Sequence, residues 1–287
     1  MNKFLGIGAV LALLAACDER PTTEVVDDPV DPVDPVEDTT DALSAGDLQS
    51  ATYEPGSLTI QITMDGQNVD QDYGTPVALG DFELFTLTEG TTGRAFTAVA
   101  GEVPGEVNAV IVSDGGQFNR YFGGGQIVQF TYTAPDGGIT DYMGQYVGLL
   151  NFGPLVNDPI PTGVGDESYA SLLVEGSTFL KVDFNDGYLN GSIYDRTIDG
   201  GGDPDILLPD VILTDGILAA DGTFTGTAED AEQNGVGSFS GAIGGEGTSI
   251  AGLVELTPPF LEGVTEFTDL NGNEAEIGMF ILVPVAP

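Results

Sequence analysis

Few side chains in this sequence are suited to chemistry. The chain has 287 residues with no His, no Trp and a single Cys. Without His, neither a Ser-His-Asp nor a Cys-His nucleophile can be assembled, and no His-ligated zinc or haem can form. Carboxylates and one thiol remain. Asp183 and Asp186 could supply the carboxylate pair of a glycoside hydrolase. They flank Asn185 and precede Gly187, which is the composition of a tight turn, and no Trp provides a sugar platform. Asp269-x-Asn271-Gly272-Asn273 begins like a calcium loop, but its Gly is misplaced and its twelfth position is Phe280 rather than Glu. The acidic stretch Asp199 to Asp205 has no fixed ligand spacing. Ordinary turns explain both acidic stretches. The expectation is a protein with no catalytic residue, no cofactor and no metal.

The thiol points to a membrane. Lys3 provides a positive start, and Phe4 to Leu14 form an apolar core too short to anchor the chain by spanning a bilayer. Leu14-Ala15-Ala16-Cys17 follows, with the only Cys at the position that the bacterial lipobox requires. In that chemistry the Cys17 thiol takes a diacylglycerol, the chain is cut before Cys17, and the new amine is acylated. Each buried CH₂ contributes ~0.8 kcal/mol, so several acyl chains hold firmly. The expected location is the cell outer membrane, facing outward. Asp18 pulls the other way, because in enteric bacteria that residue favours retention at the inner membrane.

Composition limits the partners. With 46 acidic and 6 basic residues the formal charge is −40, which excludes nucleic acid and anionic lipid as targets of a basic patch. A basic or uncharged protein or small molecule fits better. One Cys allows no internal disulfide, and a monomer is expected.

The elements fall in four segments: a signal peptide at 1–17, a tether at 18–50, an N-terminal β region at 51–135 and a barrel domain at 136–287. In the tether, Asp28 to Asp38 repeats Asp-Pro-Val, which favours extended polyproline II at ~3.1 Å per residue. A solvated spacer explains this acidic run better than a calcium site. In the β region, Leu58, Ile60, Ile62 and Met64 alternate with polar residues. Further strands are expected at 82–88, 95–100, 107–113 and 127–133, and Tyr121-Phe122-Gly123-Gly124-Gly125 reads as a loop.

Eight strands are expected near 141–151, 169–184, 188–195, 210–218, 223–228, 236–243, 249–257 and 276–283. The second is expected to bend or split at Gly176-Ser177. The hairpin from Gly235 to Leu256 is the clearest. Phe239, Gly241 and Ile243 share one face, as do Ile250, Gly252, Val254 and Leu256. The unit of large apolar, x, Gly, x, apolar or small recurs at Tyr146/Gly148/Leu150, Leu189/Gly191/Ile193 and Phe224/Gly226/Ala228. Mid-strand glycines on the apolar face suit a sheet that coils tightly, with neighbouring large residues filling the space. Tyr142, Tyr146, Tyr169, Tyr188 and Tyr194 are expected in the barrel core or girdle.

This pattern resembles the C-terminal barrel of the transferrin-binding protein B type, shared by bacterial surface lipoproteins. The resemblance covers roughly Thr140 to Val283. It implies an all-β chain: an eight-stranded antiparallel up-and-down barrel preceded by a smaller β handle or sandwich. It also implies a surface location, but no particular ligand.

Connections in such a barrel alternate between rims. The tight ones lie at 185–187, 219–222 and 244–248, and the long ones at 152–168, 196–209, 229–235 and 258–275. The long loops carry apolar residues beside acidic ones, and Leu155, Ile160, Ile206, Leu207, Phe260, Leu261 and Phe267 are the candidate binding residues. Trimming 258–275 is expected to remove binding and spare the fold. The sequence thus reads as a lipid-anchored module that captures a nutrient or protein by its barrel-end loops. A structural envelope lipoprotein without a ligand, or a carboxylate-based hydrolase, are the alternatives. Cys17→Ala is predicted to abolish incorporation of labelled palmitate and leave the chain unprocessed or released, and a variant that still takes up the label would disprove the anchor.

Overall fold

Period-two sequence and frequent Gly or Asp-Gly turns produce strands throughout, and no helix forms among the described residues. The computed structural model describes residues 41–88, 94–114, 121–151, 171–199, 204–265, 267 and 272–286. Cys17 and the 18–40 part of the expected tether lie outside them. Among the described residues, β1 (Asp41–Gly46) and β2 (Leu48–Glu54) already precede or span the expected start of the β region at 51. Both strands are poor in large apolar residues, so they carry little sequence signal.

Three layers follow one another. β2 pairs with β3 (Ser57–Met64), which pairs with β4 (Gln67–Tyr73). The second layer is a six-stranded sheet in the order β1, β9 (Gly123–Gln129), β8 (Val107–Ser113), β7 (Ala95–Val103), β6 (Phe82–Thr88) and β5 (Val77–Leu79). Its middle strand β8 is buried at every residue, because both of its faces are covered. Val110 and Val112 pack with Leu58, Ile60 and Ile62 of the small sheet. Val107, Ala109 and Ile111 pack with Val147, Leu149, Leu253 and Met279 on the outside of the third layer.

That third layer is a closed antiparallel barrel. Its strands are β10 (Ile139–Asn151), β11 (Leu172–Asp183), β12 (Tyr188–Ile198), β14 (Val211–Leu218), β15 (Thr223–Glu229), β16 (Gly235–Gly244), β17 (Ser249–Leu256) and β18 (Ala275–Pro284). Each pairs with the next in that order, and β18 pairs with β10 to close the ring. A short β13 (Ile206–Leu207) adds to β12. All eight strands expected from the sequence are present. β11 stays continuous, with a register shift between Glu175 and Ser177 where a bend or split was expected.

The start of β9 departs from expectation. Gly123, Gly124 and Gly125 belong to the strand, whereas Phe130 onward leaves it. The reason is contact on both faces. A side chain at Gly125 would meet Leu253 of the barrel, and one at Gly124 would meet the chain at Ala45 and Leu48. The β region is also tied to the barrel by polar contacts. Gln129 Nε2 donates to the carbonyls of Ile243 at 2.6 Å and Asp221 at 3.1 Å, and the hydroxyls of Thr248 and Ser249 each donate to Glu106 at 2.7 Å.

Inside the barrel, aromatic rings lie over glycines of the adjacent strand. Phe224 is opposite Gly241, Phe239 is opposite Gly226, and Phe280 is opposite Gly252. A Cβ at Gly241 would overlap the Phe224 ring and lie 2.5 Å from the carbonyl oxygen of Ala251. A backbone oxygen cannot swing aside as a flexible side chain can. Gly241→Val is therefore predicted to destabilise the fold by ~1–3 kcal/mol through overpacking. Chemical denaturation measures this, and an unchanged midpoint would show that the ring does not occupy that space.

Candidate functional site

The two barrel rims differ. At one rim the strands are joined by tight turns. Gly187 N donates to the Asp183 carbonyl at 2.9 Å, Gly222 N to that of Ala219 at 3.1 Å, and Thr248 N to that of Gly244 at 3.1 Å. Asp183 belongs to this rim. Its Oδ1 accepts from both nitrogens of Asn185 at 2.9 Å, and those hydrogen bonds lower its carboxyl below the usual value. These donors come from its own turn, as the composition of 183–187 predicts.

The opposite rim carries the long connections, and the structure sorts the candidate residues there. Leu155 and Ile160 lie outside the described residues. Ile206, Phe260, Leu261 and Phe267 are buried and belong to the barrel core together with Leu208 and Val264. They close the barrel end instead of facing solvent. Loop position alone cannot reveal this, because the barrel mouth needs an apolar cover as much as its walls do. Trimming 258–275 would uncover that core, so the expectation that the fold survives the deletion does not hold. Leu207 alone of the described candidates is open, at 73% exposure.

The segment from Pro258 to Val264 forms a ridge of consecutive turns, with Glu262 N donating to the Pro259 carbonyl at 2.7 Å and Val264 N to that of Leu261 at 3.2 Å. Clefts surround it. One of about 690 Å³ lies between this ridge and Asp210, Asp230 and Glu232. A second, of about 430 Å³, includes Asp205, Leu207 and Thr265. A third, of about 290 Å³, runs to Phe267 and Glu274. Glu262 lines all three, and among the described residues no Lys or Arg lies in their walls.

The connection at 230–234 proves short and stiff. Asp230 accepts from the backbone of Glu232 at 2.9 Å and Asn234 at 2.8 Å, and from the Asn234 side chain at 2.8 Å. The Asn234 side-chain bond, with the backbone bonds, holds its carboxyl below the usual value, so it stays ionised under ordinary conditions.

Beneath the rim lies a polar network that the sequence pattern did not reveal. Arg196 NH2 donates to Glu276 Oε2 at 2.6 Å, Tyr146 OH donates to Glu276 Oε1 at 2.5 Å, and Arg196 NH1 donates to the Pro209 carbonyl at 2.6 Å. All three side chains are buried. The network joins β10, β12 and β18 to the segment after β13. Gly148 and Gly278 make room for it, since a Cβ at either would overlap Glu276 or the Tyr146 hydroxyl. Burial acts to lower the Arg196 pKa, but attraction to Glu276 and Tyr146 outweighs it and the net shift is upward. Tyr146 is raised well above its ordinary value, by burial first and then by the Glu276 charge. The sequence did hold a signal: Arg196 and Glu276 are charged residues at inward positions of apolar strands. A bulge in β12 opposite Glu175 and Ser177 breaks the alternation just before Arg196, whereas β18 keeps its phase through Glu276.

Two tests follow from this network. Glu276→Gln should destabilise by ~3–5 kcal/mol, because it leaves the buried Arg196 charge uncompensated. Retention of wild-type stability in a denaturant titration would contradict the pairing. Folded Tyr146 keeps its proton where an unfolded tyrosine loses it near pH 10, so its contribution should be constant below that pH and fall above it. Tyr146→Phe should flatten this alkaline loss, and an identical pH profile would argue against it.

No family model matches the chain, and no curated protein matches it. Among solved structures it is similar to a double mutant of the vaccine antigen transferrin binding protein B from Haemophilus parasuis Hp5. The TM-score is 0.46 at 15% identity, over 86% of this chain and 45% of that one. It is also similar to isotype 1 transferrin binding protein B from serogroup B Neisseria meningitidis, with a TM-score of 0.38 at 10% identity over 85% and 43%. A protein of unknown function of the DUF3598 family from Nostoc punctiforme gives 0.23 at 9% identity, over 84% and 88%. The chain spans less than half the length of the two transferrin binding proteins. At these identities the likeness concerns the arrangement of strands alone.

Proposed function

We propose that this chain is a lipid-anchored protein of the bacterial outer membrane, exposed at the cell surface, that binds a basic or uncharged protein partner at its long-loop rim. The observation that carries the reading is the asymmetry of the barrel. One rim consists of tight turns, while the other gathers a raised ridge, three clefts and exposed Leu207 among carboxylates. Concave surface beside exposed apolar surface favours a partner. Asp205, Asp210, Asp230, Glu232 and Glu262 give that surface one sign of charge, which steers an oppositely charged partner and excludes acidic ones. Recognition there needs no bond to be made or broken.

The test is capture from spent medium or host extract by the full chain at low and high salt. A specific partner should be retained, should weaken as salt rises, and should be lost with Leu207→Glu or Glu262→Lys. Asp186→Ala at the tight-turn rim should change nothing. Co-purification with envelope components alone would support a structural lipoprotein instead, and equal capture by the rim variants would place the site elsewhere.

A further inference from the structure

A second groove lies on the β region, on the face of the six-stranded sheet turned away from the barrel. Its volume is about 450 Å³. The floor is the cross-strand row Glu102, Asn108, Val128 of β7, β8 and β9, and the wall is β2 from Ala51 to Pro55. Phe130, 38% exposed, stands at the side.

Asn108 is the anomaly. It interrupts an otherwise apolar run in β8 and is only 5% exposed. Its side-chain amide has no hydrogen-bond partner among the described residues, and it lines the groove. An amide has both donor and acceptor capacity, and at Asn108 only water or a bound group in the groove can meet it. The groove is the direction from which a partner group can reach it.

The wall has the same deficiency. β2 is an edge strand of its sheet. Ala51 N donates to Gln126 Oε1 at 2.6 Å, and Gln126 Nε2 donates to the Ala51 carbonyl at 3.4 Å, so this side chain takes the place of a neighbouring strand there. In an antiparallel edge every second residue presents its N–H and C=O outward. Tyr53 is therefore in the same phase as Ala51, and its backbone groups have no partner among the described residues. Glu54 and Glu102 flank the groove, and no cation among the described residues lines it.

We propose that this groove binds an extended peptide segment of another protein, one carrying an apolar residue next to Lys or Arg. The peptide backbone would pair with the Tyr53 edge and exchange hydrogen bonds with the Asn108 amide. The apolar residue would cover Val128 and Phe130, and the cation would meet Glu54 and Glu102. This is strand addition, with the sheet edge supplying affinity and the flanking side chains supplying selectivity. It is independent of the barrel rim.

The test is display selection of short random peptides on the full chain, followed by anisotropy with the enriched peptides. These should pair an apolar residue with Lys or Arg, and should bind about tenfold more weakly to Glu102→Lys and to Asn108→Leu. Glu262→Lys at the barrel rim should leave their binding unchanged. Glu102 is half-buried, so its variant should keep the native melting temperature even if Asn108→Leu does not fold. The proposal is overturned if no enriched peptide distinguishes the native chain from Glu102→Lys. It is equally overturned if Glu262→Lys weakens binding as much, since binding would then follow bulk negative charge.

Discussion

The barrel depends on rings packed over glycines. Eight strands closed in a circle leave an interior that side chains must fill without forcing the strands apart. Phe224 over Gly241, Phe239 over Gly226 and Phe280 over Gly252 do this by giving each ring the volume that its neighbour lacks. Phe224 and Phe239 also contact each other, with centroids 6.1 Å apart. The same device admits the Tyr146 ring and Glu276 over Gly278 and Gly148. Once the wall curves in this way its outer face can seat the six-stranded sheet, and its mouth must be covered by Phe260, Leu261 and Phe267. The rim clefts exist because that cover rises as a ridge between the neighbouring loops.

Charge imposes the second constraint. The chain has only six basic residues against its many carboxylates. Among the described residues, Arg94 pairs with Asp114 inside the β region and Arg196 pairs with Glu276 inside the barrel, while Lys181 lies 3.6 Å from Asp141 on the surface. These two arginines thus act as internal fasteners. Arg94 also lies 4.9 Å from the centre of the Phe122 ring. The described clefts consequently carry one sign of charge, which makes an acidic partner unfavourable at any of them.

The barrel was legible because each strand alternates apolar and polar residues between turns with strong Gly and Asp signals. The mid-strand glycines even gave the curvature, and the structure places Gly241 and Gly252 under rings as that reading requires. β1, β2 and β4 escaped because their packing comes from tertiary cover and not from their own apolar residues. β4, Gln-Asn-Val-Asp-Gln-Asp-Tyr, has almost none. The rim was legible as a cluster of apolar loop residues but not in its orientation. Phe260 and Leu207 look alike in sequence, yet one plugs the barrel and the other faces solvent. Asn108 and Arg196 needed the register, since each gains meaning only from what lies across the strands.

The central claim is that the two barrel rims differ in function, and the chain offers a direct way to ask. Its only Cys is Cys17, which acylation would block, so a second Cys is a unique attachment point. A photo-crosslinker placed at Glu232→Cys on the long-loop rim or at Asp186→Cys on the tight-turn rim would report contact on intact cells. The account predicts a discrete crosslinked partner from the Glu232 position and none from the Asp186 position. A partner trapped from Asp186, or from neither rim, would contradict it.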